Sequence, residues 1–172
     1  MMAFCFQGEN MTKEIPLTQG YVALVDDEDF EWLSKYSWSV QLSDSNAYAV
    51  AHYPISYSPK VRMHRIILGV EKGMEVDHID RNGLNNQRDN LRIVTRQQNA
   101  CNQGKKRGEY ISKYKGVSKD KRLKYRQWQA SIIIKGKEKY LGIFYTEEEA
   151  ARAYDKASLE YHGEFGRRNF ND

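Results

Sequence analysis

The stretch from Glu75 to Asn102, EVDHIDRNGLNNQRDNLRIVTRQQNACN, constrains this chain more than any other. Val76 and Ile79 give Glu75–Asp80 the apolar alternation of a short strand. Arg81-Asn82-Gly83 is a turn signal, because Asn and Gly tolerate positive φ. Leu91-Arg92-Ile93-Val94 brings β-branched residues for a second strand. Thr95 with Gln98 three residues later makes a capping box, so a helix starts there and Asn99 falls in its first turn. Across these elements His78, Asn90 and Asn99 stand in the order H-x11-N-x8-N, with Asp77 directly before the histidine. Adjacent side chains of a regular strand point to opposite faces. Asp77 and His78 can therefore serve one site only if the strand bends or ends there. A calcium loop fails on spacing, since Gly83 at its sixth position would put His78 first. Zinc fails for want of clustered thiols, because Cys5 and Cys101 stand far apart.

The spacing and the strand–loop–strand–helix order resemble the HNH nuclease motif in its His-Asn-Asn form, a ββα arrangement. The resemblance implies His78 as general base. It implies Asp77 and Asn99 as ligands of one Mg²⁺ or Mn²⁺ per active site, with Asn90 bracing the long hairpin loop. The chemistry fits these residue types. A neutral imidazole takes a proton from water near pH 7. A hard cation prefers carboxylate and amide oxygens, and it neutralises charge on phosphate and leaving group.

A second motif runs from Tyr114 to Phe170. Tyr114–Ser118, Trp128–Ile134 and Lys139–Phe144 read as three strands, with Gly136 in the second turn. Trp128, Ala130, Ile132 and Ile134 alternate with Gln129, Ser131 and Ile133. Thr146 and Glu149 form another capping box. The helix behind it places Ala150, Ala153, Tyr154, Ala157 and Tyr161 on one face, and Gly163 is set to end it. The Y-x-G-V, W-x-A-x-I, L-G-x-F and E-E-A-A-x-A-Y-D blocks resemble the DNA-binding domain of plant ethylene-response transcription factors. That resemblance implies a sheet whose open face enters the major groove of duplex DNA. Lys115, Lys119, Gln129, Ser131 and Tyr140 would lie on it, and Arg126 would add to its charge. Ser118, Ser131, Ile133 and Glu138 stand where stronger base readers are expected.

Charge agrees with a nucleic-acid partner. The chain carries a net +4, whereas residues 96–140 hold 14 Lys or Arg against 3 Asp or Glu, or +11, leaving 4 − 11 = −7 elsewhere. Such asymmetry is an electrostatic footprint for phosphate. Residues 1–10 lack a signal peptide's basic start and long apolar core, and Met11 is a candidate natural start. No apolar run approaches a membrane span. The expectation is a cytoplasmic protein of a bacterial or phage-infected cell, with no membrane partner and its oligomeric state open.

The fold class expected is α+β. Residues 1–70 form a β-rich region with strands at Lys13–Leu17, Tyr21–Val25, Trp38–Leu42, Tyr48–Tyr53 and Val61–Leu68, and a short helix capped by Asp27. Residues 71–104 form the nuclease motif, 105–113 a basic linker, and 114–170 the DNA-binding module. The function expected is a homing-type DNA endonuclease linked to a mobile element. The competing readings are a DNA-binding regulator that keeps an inactive nuclease fold, and an RNA-binding protein.

Overall fold

The computed structural model describes residues 11–43, 46–52, 60–105, 111–120, 125 and 128–170. It is a mixed α+β chain that divides into two compact units, 1–93 and 94–172.

The first unit opens with a hairpin of β1 (Thr12–Pro16) and β2 (Val22–Asp26). Helix α1 (Asp27–Leu33) follows. The sequence expects Asp27 to cap it, but Asp26 takes the cap position and its side chain looks elsewhere. Asp26 Oδ2 accepts the Arg88 backbone N–H at 2.8 Å. A second antiparallel sheet is made of β3 (Ser39–Leu42), β4 (Ala47–Ala51) and the two-residue β5 (Val61–Arg62). Tyr53, the expected end of the middle strand, lies outside the described residues.

The strand expected over Val61–Leu68 is mostly absent. Arg62 leads straight into α2 (Met63–Ile67), whose Met63, His64 and Ile67 are buried. A burial spacing of i, i+1, i+4 belongs to a helix, and it won over the β-branched composition. Strands β6 (Glu75–His78) and β7 (Leu91–Val94) form the hairpin of the first motif. Ile15, Val25, Leu33, Trp38, Met63, Val76 and Leu91 are among the residues of one shared core.

The second unit begins with α3 (Arg96–Asn102). Its capping box is complete: Thr95 accepts from the Gln98 N–H, and the Gln98 side chain accepts from the Thr95 N–H. The sheet behind it has the order β10-β9-β8, from β8 (Val117–Lys119), β9 (Trp128–Ile134) and β10 (Lys137–Phe144). Lys135 and Gly136 both take positive φ, 50° and 78°, the geometry of a two-residue hairpin turn. Helix α4 (Glu147–His162) covers one face behind the second capping box. It buries Ala150, Ala151, Tyr154, Ala157 and Ser158. Tyr161, expected inward, is instead exposed, and its hydroxyl meets Lys139 Nζ. Gly116 has φ 73°, and a Cβ there would run into the Tyr154 ring and the Ser131 carbonyl. Gly163 ends α4 as expected, with φ 56°.

The division at 93/94 falls inside the nuclease motif rather than in the basic linker. Main-chain bonds explain why α3 goes with the second unit. Lys115 Nζ donates to the carbonyls of Cys101 and Gln103 at 2.6 and 2.7 Å, and the Arg167 N–H donates to Cys101 O at 3.2 Å. Residues 106–110 of the expected linker lie outside the described residues. Lys105, at its start, is anchored. Its ammonium donates to the carbonyls of Ser112, Tyr114 and Val117 at 2.9, 3.1 and 3.0 Å.

Candidate active site

His78 is the last residue of β6, so the strand ends where the Asp77–His78 pair requires it. Val76, Asp77 and His78 are all buried, which means that both faces of the strand end are covered. Asp77 Oδ2 accepts from Arg92 Nε and Nη2 at 2.9 and 2.7 Å, a cross-strand ion pair within the hairpin. Arg92 was not foreseen, although an arginine opposite an aspartate on paired strands is the visible signal.

The loop between the strands is held on all sides. Asn90 Nδ2 donates to Asp80 Oδ1 and to Asn85 O, and its Oδ1 accepts from the Asp80 N–H. Its own carbonyl accepts from the Ile79 N–H at 2.9 Å. Asn90 thus ties both limbs of the loop together. Arg81, not Asn82 or Gly83, takes the positive φ of the turn, 68°. Gly83 is needed for a different reason. A Cβ there would collide with the Ala47 carbonyl and the Tyr48 ring. Asn46 clamps the same turn, its Nδ2 donating to Arg81 O and its Oδ1 accepting from the Gly83 N–H, both at 3.0 Å. Further along, Arg88 forms a two-pronged pair with the buried Asp29, at 2.8 Å for each bond.

The His78 imidazole sits among rings. His64 meets it edge-on, with centroids 4.8 Å apart and planes at 89°, and Tyr48 lies 6.1 Å away. Arg62 stacks over the Tyr48 ring at 4.7 Å. Burial pushes the His78 pKa below its ordinary value, partly offset by the Asn86 side chain and by Asp80 and Asp77. His64 is pushed further, to about 3, by burial and then by His78, Arg62 and Arg65. Both rings are therefore neutral at physiological pH. Asn86, in the same loop, is fully buried.

Asn99 lies on α3 in the second unit, its N–H bonded to Thr95 O at 3.0 Å. Among the described residues no three His, Cys, Asp or Glu side chains converge on a point that could hold a metal ion.

The expected DNA face is partly rearranged. Gln129, Ser131 and Ile133 stand on the side of β9 opposite the buried Ala130 and Ile132, and Ile133 and Tyr140 are exposed. Tyr140 pairs with Ser131 across the strands, just before a bulge at Leu141. Gln129 Nε2 donates to Ser118 Oγ at 3.0 Å. Lys119 Nζ lies 5.7 Å over the Trp128 ring. Lys115 is a correction. It does not lie free on this face, because its ammonium closes the carbonyl end of α3, and burial lowers its pKa to about 8. Arg126 lies outside the described residues.

A histidine kept neutral at a strand end, beside a paired aspartate on a braced ββ hairpin that leads into a capped helix, is the arrangement of a hydrolytic nuclease of the HNH class. The HNH endonuclease family model matches residues 62–101. An uncharacterized HNH endonuclease of Acanthamoeba polyphaga mimivirus is 34% identical over 158 residues, spanning 88% of this chain and 76% of that protein. The chain belongs to the HNH endonuclease family. An ethylene-responsive transcription factor of Arabidopsis thaliana is 41% identical over 63 residues, 36% of this chain and 14% of the factor. An AP2-like ethylene-responsive transcription factor of the same plant is 46% identical over 55 residues, 31% of this chain and 15% of the factor. No solved structure matches the chain. No helix among the described residues is long and apolar enough to cross a membrane.

Proposed function

We propose that this nuclease is a divalent-metal-dependent endonuclease of the homing type, which hydrolyses phosphodiester bonds in duplex DNA held by its carboxy-terminal module. The observation that carries the reading is His78, buried and held neutral directly beside Asp77. A neutral imidazole is ready to take the proton of an attacking water. Asn90 keeps the loop closed around it. Arg92 fixes the Asp77 carboxylate.

The family uses divalent metal. The Asp77 carboxylate and the Asn99 amide carbonyl are oxygen donors of the kind that Mg²⁺ or Mn²⁺ accepts, with water completing the shell. The resemblance to the family is what assigns both residues to the metal. Such a cation contributes charge neutralisation at the scissile phosphate and at the leaving oxygen.

The plant-factor similarity supports duplex DNA as the target of the module. Lys119, Gln129, Ser131 and Tyr140 form its candidate contact set. The test is nicking of supercoiled plasmid by the whole chain. Cleavage appears with Mg²⁺ or Mn²⁺ and disappears in excess chelator. Full activity in chelator removes the metal from the reading. Tight duplex binding with no cleavage under any metal leaves a DNA-binding regulator.

A further inference from the structure

We propose that the open face of the three-stranded sheet reads base edges rather than phosphates: Gln129 recognises an adenine in the major groove of duplex DNA, and Ile133 the methyl group of a nearby thymine. The proposal rests on the reading of this module as a binder of duplex DNA.

Register decides what this face presents. Ser118 pairs with Gln129, Tyr140 with Ser131 and Glu138 with Ile133, so these side chains share one side of the sheet. The other side holds Ala130 and Ile132, packed against α4. The lysines of the same strands alternate to that other side. Lys119 pairs with Trp128, Lys139 with Ile132 and Lys137 with Ile134. Among the described residues of the three strands, the open face carries no Lys or Arg and one charge, that of Glu138. Phosphate contacts need cations, and this face has none. The edges differ. β8 and β10 are the outer strands, and they bear Lys119 and Lys137 on flexible four-carbon stems. A neutral floor between two cationic edges is the complement of a groove whose bases lie between two rows of phosphates. The widths agree as well. Two strand spacings make about 10 Å, against a major groove about 12 Å wide.

Gln129 is oriented for the task. Its Nε2 donates to Ser118 Oγ at 3.0 Å across the strands. One amide hydrogen is used there, which leaves Oε1 and the second hydrogen for a ligand. An acceptor beside a donor matches the N6 amino group and N7 of adenine. Guanine offers two acceptors in the major groove, cytosine one donor and thymine one acceptor. Ile133 is 64% exposed and Tyr140 56%, and the register makes them diagonal neighbours. Such an apolar pair gains by meeting an apolar group, which the C5-methyl of thymine supplies. Gln129 and Ile133 stand four residues apart on β9, about 13 Å. The adenine and the thymine are therefore at most about four base pairs apart.

The experiment is selection from a randomised duplex library by the full chain, in chelator so that nothing is cut. The wild type enriches an adenine at one position and a thymine within about four base pairs of it. Gln129→Ala lowers the adenine preference about 5- to 150-fold, the worth of one bidentate base contact, and leaves the thymine preference standing. Ile133→Ala does the reverse, lowering the thymine preference about fourfold, the worth of one buried methyl group. Ser118→Ala keeps Gln129 yet weakens the adenine preference, because the amide is no longer steered. Neither Gln129→Ala nor Ile133→Ala changes the slope of log affinity against log salt, since neither side chain meets a phosphate. The two substitutions act on separate positions of the site, so either one decides if the other does not fold. A wild-type site without the adenine and the thymine overturns the proposal. So do unchanged preferences in the variants, or a fall in their salt slope. Duplex enriched with no preferred base also overturns it, and leaves the module a binder of backbone alone. If no duplex is enriched, the DNA reading of the module falls and takes the base assignment with it.

Discussion

The two units bury different things. Among the described residues the first encloses Asp26, Asp29, His64, Asp77, His78, Asn86 and Asn90, while the second encloses only Asn102, Ser112 and Ser158 as polar residues. Around them the second unit packs Ala130, Ile132, Ala150, Ala151, Tyr154 and Ala157, an uncomplicated sheet-on-helix core. Its described lysines are exposed or half-buried, and Lys105 and Lys115 are tied to backbone carbonyls. Burying ionisable groups is costly unless each has a partner, and the buried carboxylates of the first unit find theirs in Arg88 and Arg92. The difference fits the proposed division between chemistry in the first unit and holding in the second. A proton acceptor must be dry and fixed, whereas a surface for a polyanion must be wet and charged.

The largest expected effect breaks the comparison if it fails. His78→Ala lowers the cleavage rate about 10²–10⁴-fold, the usual loss with a general base, and leaves duplex affinity unchanged. Single-turnover cleavage beside a binding titration checks both. Comparable loss of affinity would mean that the two jobs are not separated.

Next comes stability. Arg92→Ala removes the two-pronged partner of the Asp77 carboxylate, which is only 5% exposed, and costs about 3 kcal/mol of unfolding free energy in denaturant. A change below about 0.5 kcal/mol, the size of an exposed pair, would show that water reaches this site.

The third test uses pH. The His64 pKa, lowered to about 3, means that the folded state refuses a proton which the unfolded chain accepts below about 6.5. Stability is therefore full above pH 6.5 and falls as pH drops from there toward 3, by up to about 1.4 kcal/mol per pH unit. The groups facing His64 are His78, Arg62 and Arg65, all unwelcoming to a second charge. His64→Phe flattens this slope between pH 4 and 6, as urea titrations at several pH values would show. An unchanged slope would mean that His64 is not the group responsible. Cleavage follows the same sign. With His78 lowered, the rise of activity with pH lies below 6.5.

The smallest effect concerns the second unit. Lys119→Ala reduces the slope of log affinity against log salt by about 0.9 if its ammonium meets a phosphate. A loss that varies with DNA sequence instead would make Lys119 a base contact.

Much of this was legible in the sequence where one local rule acts alone. Both capping boxes, strand β9 and the turn at Gly136 need only neighbours in the chain, and they appear where the pattern puts them. What was not legible depends on distant partners. Val61–Leu68 reads as a strand until tertiary burial selects Met63, His64 and Ile67 for a helix. Asn86 reads as a polar loop residue until Leu24, 62 positions earlier in the chain, pins it. Lys115 sits in a basic run and reads as a phosphate contact, yet two carbonyls of α3 claim it. Charge tells that a lysine seeks oxygen, but not whose oxygen it finds.

The bonds that hold α3 also set a rule for anyone who would graft this chain. A chimaera joined after residue 104, at the apparent linker, would part Cys101 and Gln103 from the Lys115 ammonium and Cys101 from the Arg167 amide. The helix that bears Asn99 would then end in carbonyls with no donors, and a seven-residue helix has little propensity of its own to fall back on. A junction at 93/94 keeps those bonds and moves the helix with its cap. The piece to exchange is therefore the carboxy-terminal module together with the last part of the nuclease motif.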